Sequence, residues 1–225
     1  MKMSLLTLFL IGLSVGFVLL FSVGMNDVRT VQGSGAKVDS MDLSAFSEAQ
    51  PGHSLDLVFI HHSVGGHWLA KKGPETGADC IFTTHPSGGG LRQALEKQGY
   101  EVHEASYGSR VGLDTDIVHW PSKFRDQMDQ ILTCQHQDQP LPDGRRNRIV
   151  VFKSCYPNNL FVELGTPPGR ADAPERTVAN AQAAYTALLA TFARHTGVLF
   201  VCVTAPPLAP RLPPEPLWKP PARRL

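Results

Sequence analysis

Charge is scarce in this sequence, and the two signs nearly cancel. Charged residues make up 18% of the chain, and 21 basic residues stand against 20 acidic ones, for a formal net charge of +1. Proteins that bind nucleic acid through its phosphates generally carry a strongly basic surface. The composition excludes such a general basic footprint, and we expect no nucleic-acid partner.

Cysteine is also sparse, and its spacing argues against the common thiolate sites. No two of the four cysteines form a C-x-x-C pair, which speaks against zinc-ribbon and thioredoxin-type domains. If the domain is exported, one or two disulfides can form, but the spacing does not give their pairing. We expect neither a cofactor nor a resident metal. The cysteines are Cys80, Cys134, Cys155 and Cys202.

A long uncharged, apolar stretch opens the chain. No charged residue occurs from Met3 to Asn26, and about 20 apolar residues suffice to cross a bilayer as a helix. Residues 1–24 are therefore expected to be a signal anchor or a cleaved signal peptide. We expect an extracytoplasmic protein, periplasmic or secreted, for which an anchor at residues 4–24 would provide contact with the inner membrane. Residues 25–53, rich in small and polar side chains, are expected to be a linker.

The next part of the chain alternates short apolar runs with segments of helical period. At 225 residues the chain suits one domain with flanking segments, and we place that domain at 54–208. The alternation predicts an α/β fold with a parallel sheet covered by helices on both faces. Strands are expected at 55–60, 100–105, 149–152 and 198–203. A helix capped by Thr177 is expected to bury Tyr185, Leu188, Leu189 and Phe192.

Residues that can carry chemistry follow three of these strands, where parallel sheets bind their ligands. Ser63 stands at a strand-to-helix turn before two glycines, which suits a nucleophile whose own N–H faces an oxyanion, although a plain helix cap is the alternative. Asn158 can donate its side-chain amide to an oxyanion, or can simply be the turn residue of a Pro-Asn pair. Gly108 can offer an unobstructed backbone N–H.

Three histidines surround Ser63 in the sequence. A metal would need their ring nitrogens to converge, whereas the adjacent His61 and His62 are expected to point to opposite sides of the strand end. A metal-dependent hydrolase that uses His61 and His67 is therefore the weakest of the alternatives considered.

The segment from Val58 to Leu69 resembles the first block of a bacterial branch of the SGNH/GDSL hydrolase superfamily. Further similarity lies in Tyr107-Gly108 and in residues 115–121, 152–158 and 203–208, so the resemblance spans about residues 55–208. It implies a flavodoxin-like, three-layer α/β/α sandwich that hydrolyses esters, often of acylated sugars or lipids. The substrate expected from it is a small-molecule or glycan ester.

The resemblance also implies roles for single residues. Ser63 matches the nucleophile of the family, Gly108 its oxyanion glycine and Asn158 its oxyanion asparagine. The first block of the family usually reads Gly-Asp-Ser, where this chain has His61-His62-Ser63. The asparagine block usually reads Gly-x-Asn-Asp, where this chain has Tyr156-Pro157-Asn158-Asn159.

The general base of the family, in an Asp-x-x-His near the C-terminus, has no counterpart in this sequence. Residues 205–225 hold eight of the 18 prolines, and neither Asp nor His follows Leu208. Such proline density excludes a central strand or a helix, so residues 209–225 are expected to be an extended basic tail. We interpret the chain as a truncated or frame-shifted hydrolase that lacks its last strand; a genuine partner-binding tail is the alternative.

A serine without its base is a weak nucleophile, so the sequence predicts little ester turnover. The alternative of another class is a non-catalytic carbohydrate-binding or scaffolding domain of the same fold.

Overall fold

A computed structural model describes residues 49–155 and 160–203 of the chain. The predicted signal segment, most of the predicted linker, Asn158 and the proline-rich tail lie outside these residues. Among the helices of the described part, none combines the length and the apolar composition needed to cross a bilayer.

Nine strands and five α-helices form the described part of the chain. The strands are β1 (Leu55–Ile60), β2 (Lys71–Lys72), β3 (Thr76–Ala78), β4 (Ile81–His85), β5 (Tyr100–Ala105), β6 (Cys134–His136), β7 (Gln139–Pro140), β8 (Ile149–Lys153) and β9 (Leu199–Val203). The helices are α1 (Val64–Leu69), α2 (Leu91–Lys97), α3 (Trp120–Asp126), α4 (Met128–Thr133) and α5 (Val178–Phe192).

The main sheet has six strands in the order β7-β6-β5-β1-β8-β9. Its four long strands, β5, β1, β8 and β9, are mutually parallel, and their order along the chain gives the spatial order 2-1-3-4 that begins a flavodoxin-like sheet. The predicted α/β class is therefore confirmed. The sheet is mixed rather than wholly parallel, because β7 turns back antiparallel to β6.

Each face of the sheet carries its own apolar core, as the alternation along β1 requires. Val58 and Ile60 pack with α3, α4 and α5, whereas Leu57 and Phe59 pack with α1 and α2. The first core is largely aromatic: Phe124 meets Phe152 edge-on, with 4.9 Å between ring centroids. Helices on both faces of the sheet make three layers, as the sequence predicts.

Two local predictions about α5 have different outcomes. The predicted cap is confirmed, because the Thr177 hydroxyl accepts a hydrogen bond from the Asn180 N–H at 3.1 Å. The predicted core face is wrong at Leu189, which is 38% exposed. The buried stripe continues instead through Ala181 and Ala184, whose small side chains let α5 pack closely against α3.

A second sheet was absent from the sequence-based expectation. Strands β2, β4 and β3 form it, with β4 in the middle, and the strands are too short to show a hydrophobic period. It lies against α1 and carries the two-residue β3–β4 turn toward the end of β1.

Replacing Phe124 should reveal how much the aromatic core contributes to stability. Phe124 is fully buried and contacts three further phenylalanine rings at centroid distances of 4.8 to 5.8 Å. We expect Phe124→Ala to lower the free energy of unfolding by about 3–5 kcal/mol in urea denaturation, because it leaves a cavity. The neighbouring Arg125→Ala, on the exposed side of α3, should leave the unfolding midpoint unchanged. Equal midpoints for both variants would contradict this view of the core.

Candidate functional site

The strand register brings three chain segments to one edge of the sheet. Ile60 pairs with Ala105 on β5 and with Phe152 on β8, so these three strands end level with one another. Ser63, Gly108 and Cys155 each follow three residues later. The structure therefore places Ser63 and Gly108 at the same carboxyl edge, where parallel sheets bind ligands.

Ser63 adopts a backbone conformation that is rare for a residue with a side chain. Its φ is 49° and its ψ is −116°, in a region that costs of order 1–3 kcal/mol for a non-glycine residue. Its hydroxyl makes no capping hydrogen bond to α1, so the plain helix-cap alternative is not what the structure contains. The turn directs β1 into α1 through this single strained residue.

The two glycines after Ser63 are both required by close packing. A Cβ on Gly65 would lie 2.4 Å from the Cβ of His61, and a Cβ on Gly66 would lie 1.8 Å from the carbonyl oxygen of Cys80. Gly65 thus allows the His61 side chain to sit beneath the turn. Gly66 allows the β3–β4 turn to rest directly on α1.

His61 is fully buried and ties β1 to β5. Its Nε2 lies 3.1 Å from Oε2 of Glu104, whose Oε1 pairs with Arg92 at 2.6 Å. Because the carboxylate only accepts, Nε2 carries the ring proton, and the buried Nδ1 has no partner among the described residues. Burial lowers the pKa of His61, against a smaller upward effect of Glu104, so the folded protein holds a neutral imidazole.

His62 holds the loop that carries Gly108. Its Nε2 donates to the carbonyl of Gly112 at 2.5 Å, and its Nδ1 accepts from the Thr115 hydroxyl at 3.1 Å. The ring also stacks on Tyr107, with centroids 3.7 Å apart. Burial lowers the pKa of His62, and both ring nitrogens are occupied. His62 therefore positions the loop and cannot accept the Ser63 proton in this arrangement.

Gly108 lies where a side chain would be strained. Its φ is 82°, in the left-handed region that favours glycine, and a Cβ would sit 3.1 Å from Oδ2 of Asp79. The structure brings Gly108 to the edge that holds Ser63, as expected. Asn158, the other predicted oxyanion donor, is outside the described residues, so its role stays a prediction.

The turn between β3 and β4 is part of the site, which the sequence interpretation missed. Asp79 and Cys80 have φ values of 53° and 63°, as in the type I′ turn of a two-residue hairpin. The Ser63 N–H faces the Cys80 sulfur; burial raises the pKa of this thiol and that N–H lowers it. The sequence feature that could have predicted this turn is the Asp-Cys pair between two short segments of β-prone residues.

Tyr107 and Lys153 also lie at this carboxyl edge of the sheet. The Tyr107 hydroxyl lies 3.8 Å from the Cys155 sulfur, and burial is the first of the causes that raise the pKa of Tyr107 to about 12. Lys153, at the end of β8, is only 8% exposed and donates to the carbonyl oxygen of His62 at 3.3 Å. Burial lowers the pKa of this amine.

Among the described residues, neither His61 nor His67 belongs to a group of three side chains that could hold a metal ion. His61 is occupied by Glu104, and the His67 ring stacks on His85 with centroids 3.8 Å apart. Within residues 49–155 and 160–203, the one group with metal-ligating geometry is elsewhere, at the amino ends of β1 and β5. That group comprises Asp56, Glu101 and His103, and Arg145 already pairs with both of its carboxylates at 2.7 Å.

The buried neutral His61 predicts a stability that falls in mild acid. Its folded-state pKa is lowered, so the unfolded chain binds the additional proton below about pH 6.5 and stability is lost as the pH falls through that value. From about pH 7.5 to about pH 5.5, the wild type should lose about 1 kcal/mol more unfolding free energy than His61→Gln, which keeps a donor for Glu104. Parallel losses in urea titrations of the two proteins would contradict a neutral His61.

The comparisons with known proteins assign neither a family nor a function to this chain. No protein-family model matches the chain, and neither the curated proteins nor the solved structures contain a significant match.

Proposed function

We propose that this protein is a serine ester hydrolase of the SGNH type, with Ser63 as its nucleophile. The observation that carries the proposal is the strained backbone of Ser63, which frees its hydroxyl from capping the helix that follows. Strain of this kind is concentrated at active sites, where it keeps a reacting group exposed. The substrate we propose is a small-molecule or glycan ester, met outside the cytoplasm.

The chemistry follows from the positions around Ser63. Its Oγ would attack the ester carbonyl, and the resulting oxyanion would be stabilised by N–H groups aimed at it. We assign this role to the N–H groups of Ser63 and Gly108 and to the side chain of Asn158. In the described structure the Ser63 N–H faces the Cys80 sulfur, so an ester oxygen would have to replace a weak acceptor.

Substitution of Ser63 tests the proposal directly. A fluorophosphonate probe should label the wild-type protein at Ser63, because only an activated serine reacts, and Ser63→Ala should abolish the labelling. Mass spectrometry of the tryptic peptides locates the label, and acetyl-ester hydrolysis should be lost in parallel. Ser54→Ala is the matched control, since Ser54 precedes β1 at the opposite edge of the sheet.

Labelling at another residue, or equal labelling of Ser63→Ala, would contradict the assignment. A folded wild-type protein that never reacts would contradict the enzymatic function itself. Circular dichroism and the unfolding midpoint of each variant separate loss of reactivity from loss of fold.

A cavity that does not include Ser63 favours the second candidate, a carbohydrate-binding domain. It has a volume of about 640 Å³ and lies between α2, β4 and β5, and neither Ser63 nor Gly108 lines it. Three amide side chains, Gln93, Gln135 and Gln139, line it beside the apolar Phe82, a mixture that suits sugar hydroxyls and ring faces. Glycan binding that Ser63→Ala leaves intact, in a protein the probe does not label, would support this candidate.

A further inference from the structure

Lys153 is a buried amine beside Ser63 for which the structure offers no carboxylate. Its side chain is among the few buried charged groups, at 8% exposure. No ion pair to it occurs among the described residues, whereas Arg92, Arg145 and Arg146 all have acidic partners. A buried ammonium without a counter-charge is costly, and burial accordingly lowers the pKa of this amine.

Lys123, the other buried lysine, shows what a structural amine looks like in this fold. Its Nζ donates to three oxygens, those of Arg110 and Val111 and the side chain of Gln127, at 3.0 to 3.4 Å. All three donors of its ammonium group are thereby satisfied. Lys153 has one acceptor among the described residues, the carbonyl oxygen of His62 at 3.3 Å. Lys153 therefore keeps spare donor capacity that Lys123 does not have.

The position of the Lys153 amine is close to the candidate nucleophile. The carbonyl oxygen that it contacts belongs to the peptide group joining His62 to Ser63, so Nζ lies one residue from the serine side chain. Nζ also lies over the ring of Trp68 on α1, 5.9 Å from its centroid. The lysine stem has four carbons with freely rotating bonds, so the amine can change its position. Hydrogen bonds between catalytic groups are often long until the substrate binds.

The two histidines next to Ser63 are less accessible than this amine. His62 uses both ring nitrogens to hold the loop of Gly112 and Thr115, whereas His61, whose Nδ1 has no partner among the described residues, is fully buried beneath the turn. Among the described residues, no side chain forms a hydrogen bond with the Ser63 hydroxyl. Lys153 at the end of β8 is a candidate acceptor for the Ser63 proton, because its amine contacts the carbonyl oxygen of the residue before the serine.

We infer that Lys153 is the general base of the proposed hydrolase, forming a Ser–Lys pair with Ser63. The inference rests on the proposed function for its chemistry. The neutral amine takes the proton of Oγ as Oγ bonds to the ester carbonyl carbon, and the ammonium returns it to the departing alkoxide, which leaves as an alcohol. In the second half, the amine takes a proton from water, the hydroxide attacks the acyl carbon, and the proton goes to Oγ. Serine–lysine pairs perform acyl transfer on other folds.

The test compares Lys153→Arg and Lys153→Met with the wild type. Arginine keeps the positive charge but does not give up its proton, and methionine keeps the apolar stem, so neither can act as a base. Both substitutions should lower the rate of fluorophosphonate labelling at Ser63 by about 10²–10⁴-fold. The wild-type rate should rise with pH and level off below the usual lysine pKa, and this rise should disappear in Lys153→Arg. Lys97→Met, at the exposed end of α2, is the control.

The outcomes separate the base from the hydrolase. Labelling of Ser63 that Lys153→Arg leaves unchanged would overturn the base assignment and leave the nucleophile standing. A wild type that is never labelled, even in alkaline solution, would overturn both. A direct measurement covers variants that fold poorly: NMR titration of a ¹³C-methylated Lys153 in Ser63→Ala should give a pKa below the usual lysine range, and an ordinary value would overturn the assignment.

Discussion

The strained turn at Ser63 is the constraint on which the rest of the site depends. A positive φ at this residue turns β1 into α1 within one position, and the turn leaves no room for a side chain at Gly65 or Gly66. Gly65 then closes over the His61 ring, and Gly66 receives the carbonyl of Cys80. The same geometry that turns the chain at Ser63 therefore also places the β3–β4 turn against α1, so one short segment fixes both the serine and the residues around it.

Buried polar groups hold that segment to its neighbours. Glu104 joins His61 to Arg92, and His62 joins the end of β1 to the loop after β5. Both imidazoles are kept neutral by burial, which means that their hydrogen bonds are made without placing extra charge in the interior. Such networks specify one arrangement because every broken contact leaves a buried polar group unpaired.

The parts of this fold that the sequence predicts are those with a local signal. The strand patterns of β1, β5 and β8, the cap at Thr177 and the turn at Ser63 depend on residues close together in the chain. The Asp79–Cys80 turn was missed because its role comes from contacts with α1 and Gly108, far away in sequence. Leu189 was misplaced because helical period alone does not say that α5 meets α3 through alanines.

At the candidate site, too, the sequence pattern around a residue does not predict its role in the folded structure. Two histidines directly before a serine invite a catalytic interpretation, yet both hold the edge of the sheet through hydrogen bonds to β5 and to the loop after it. Among the described residues, Lys153 also has spare hydrogen-bonding capacity; it is 90 residues from Ser63 in the chain and adjacent across the β1–β8 pair. Burial disfavours the charged form of this amine, which is the property that the proposed base needs. In that proposal desolvation sets the proton transfer, and the histidines contribute by fixing the position of the serine.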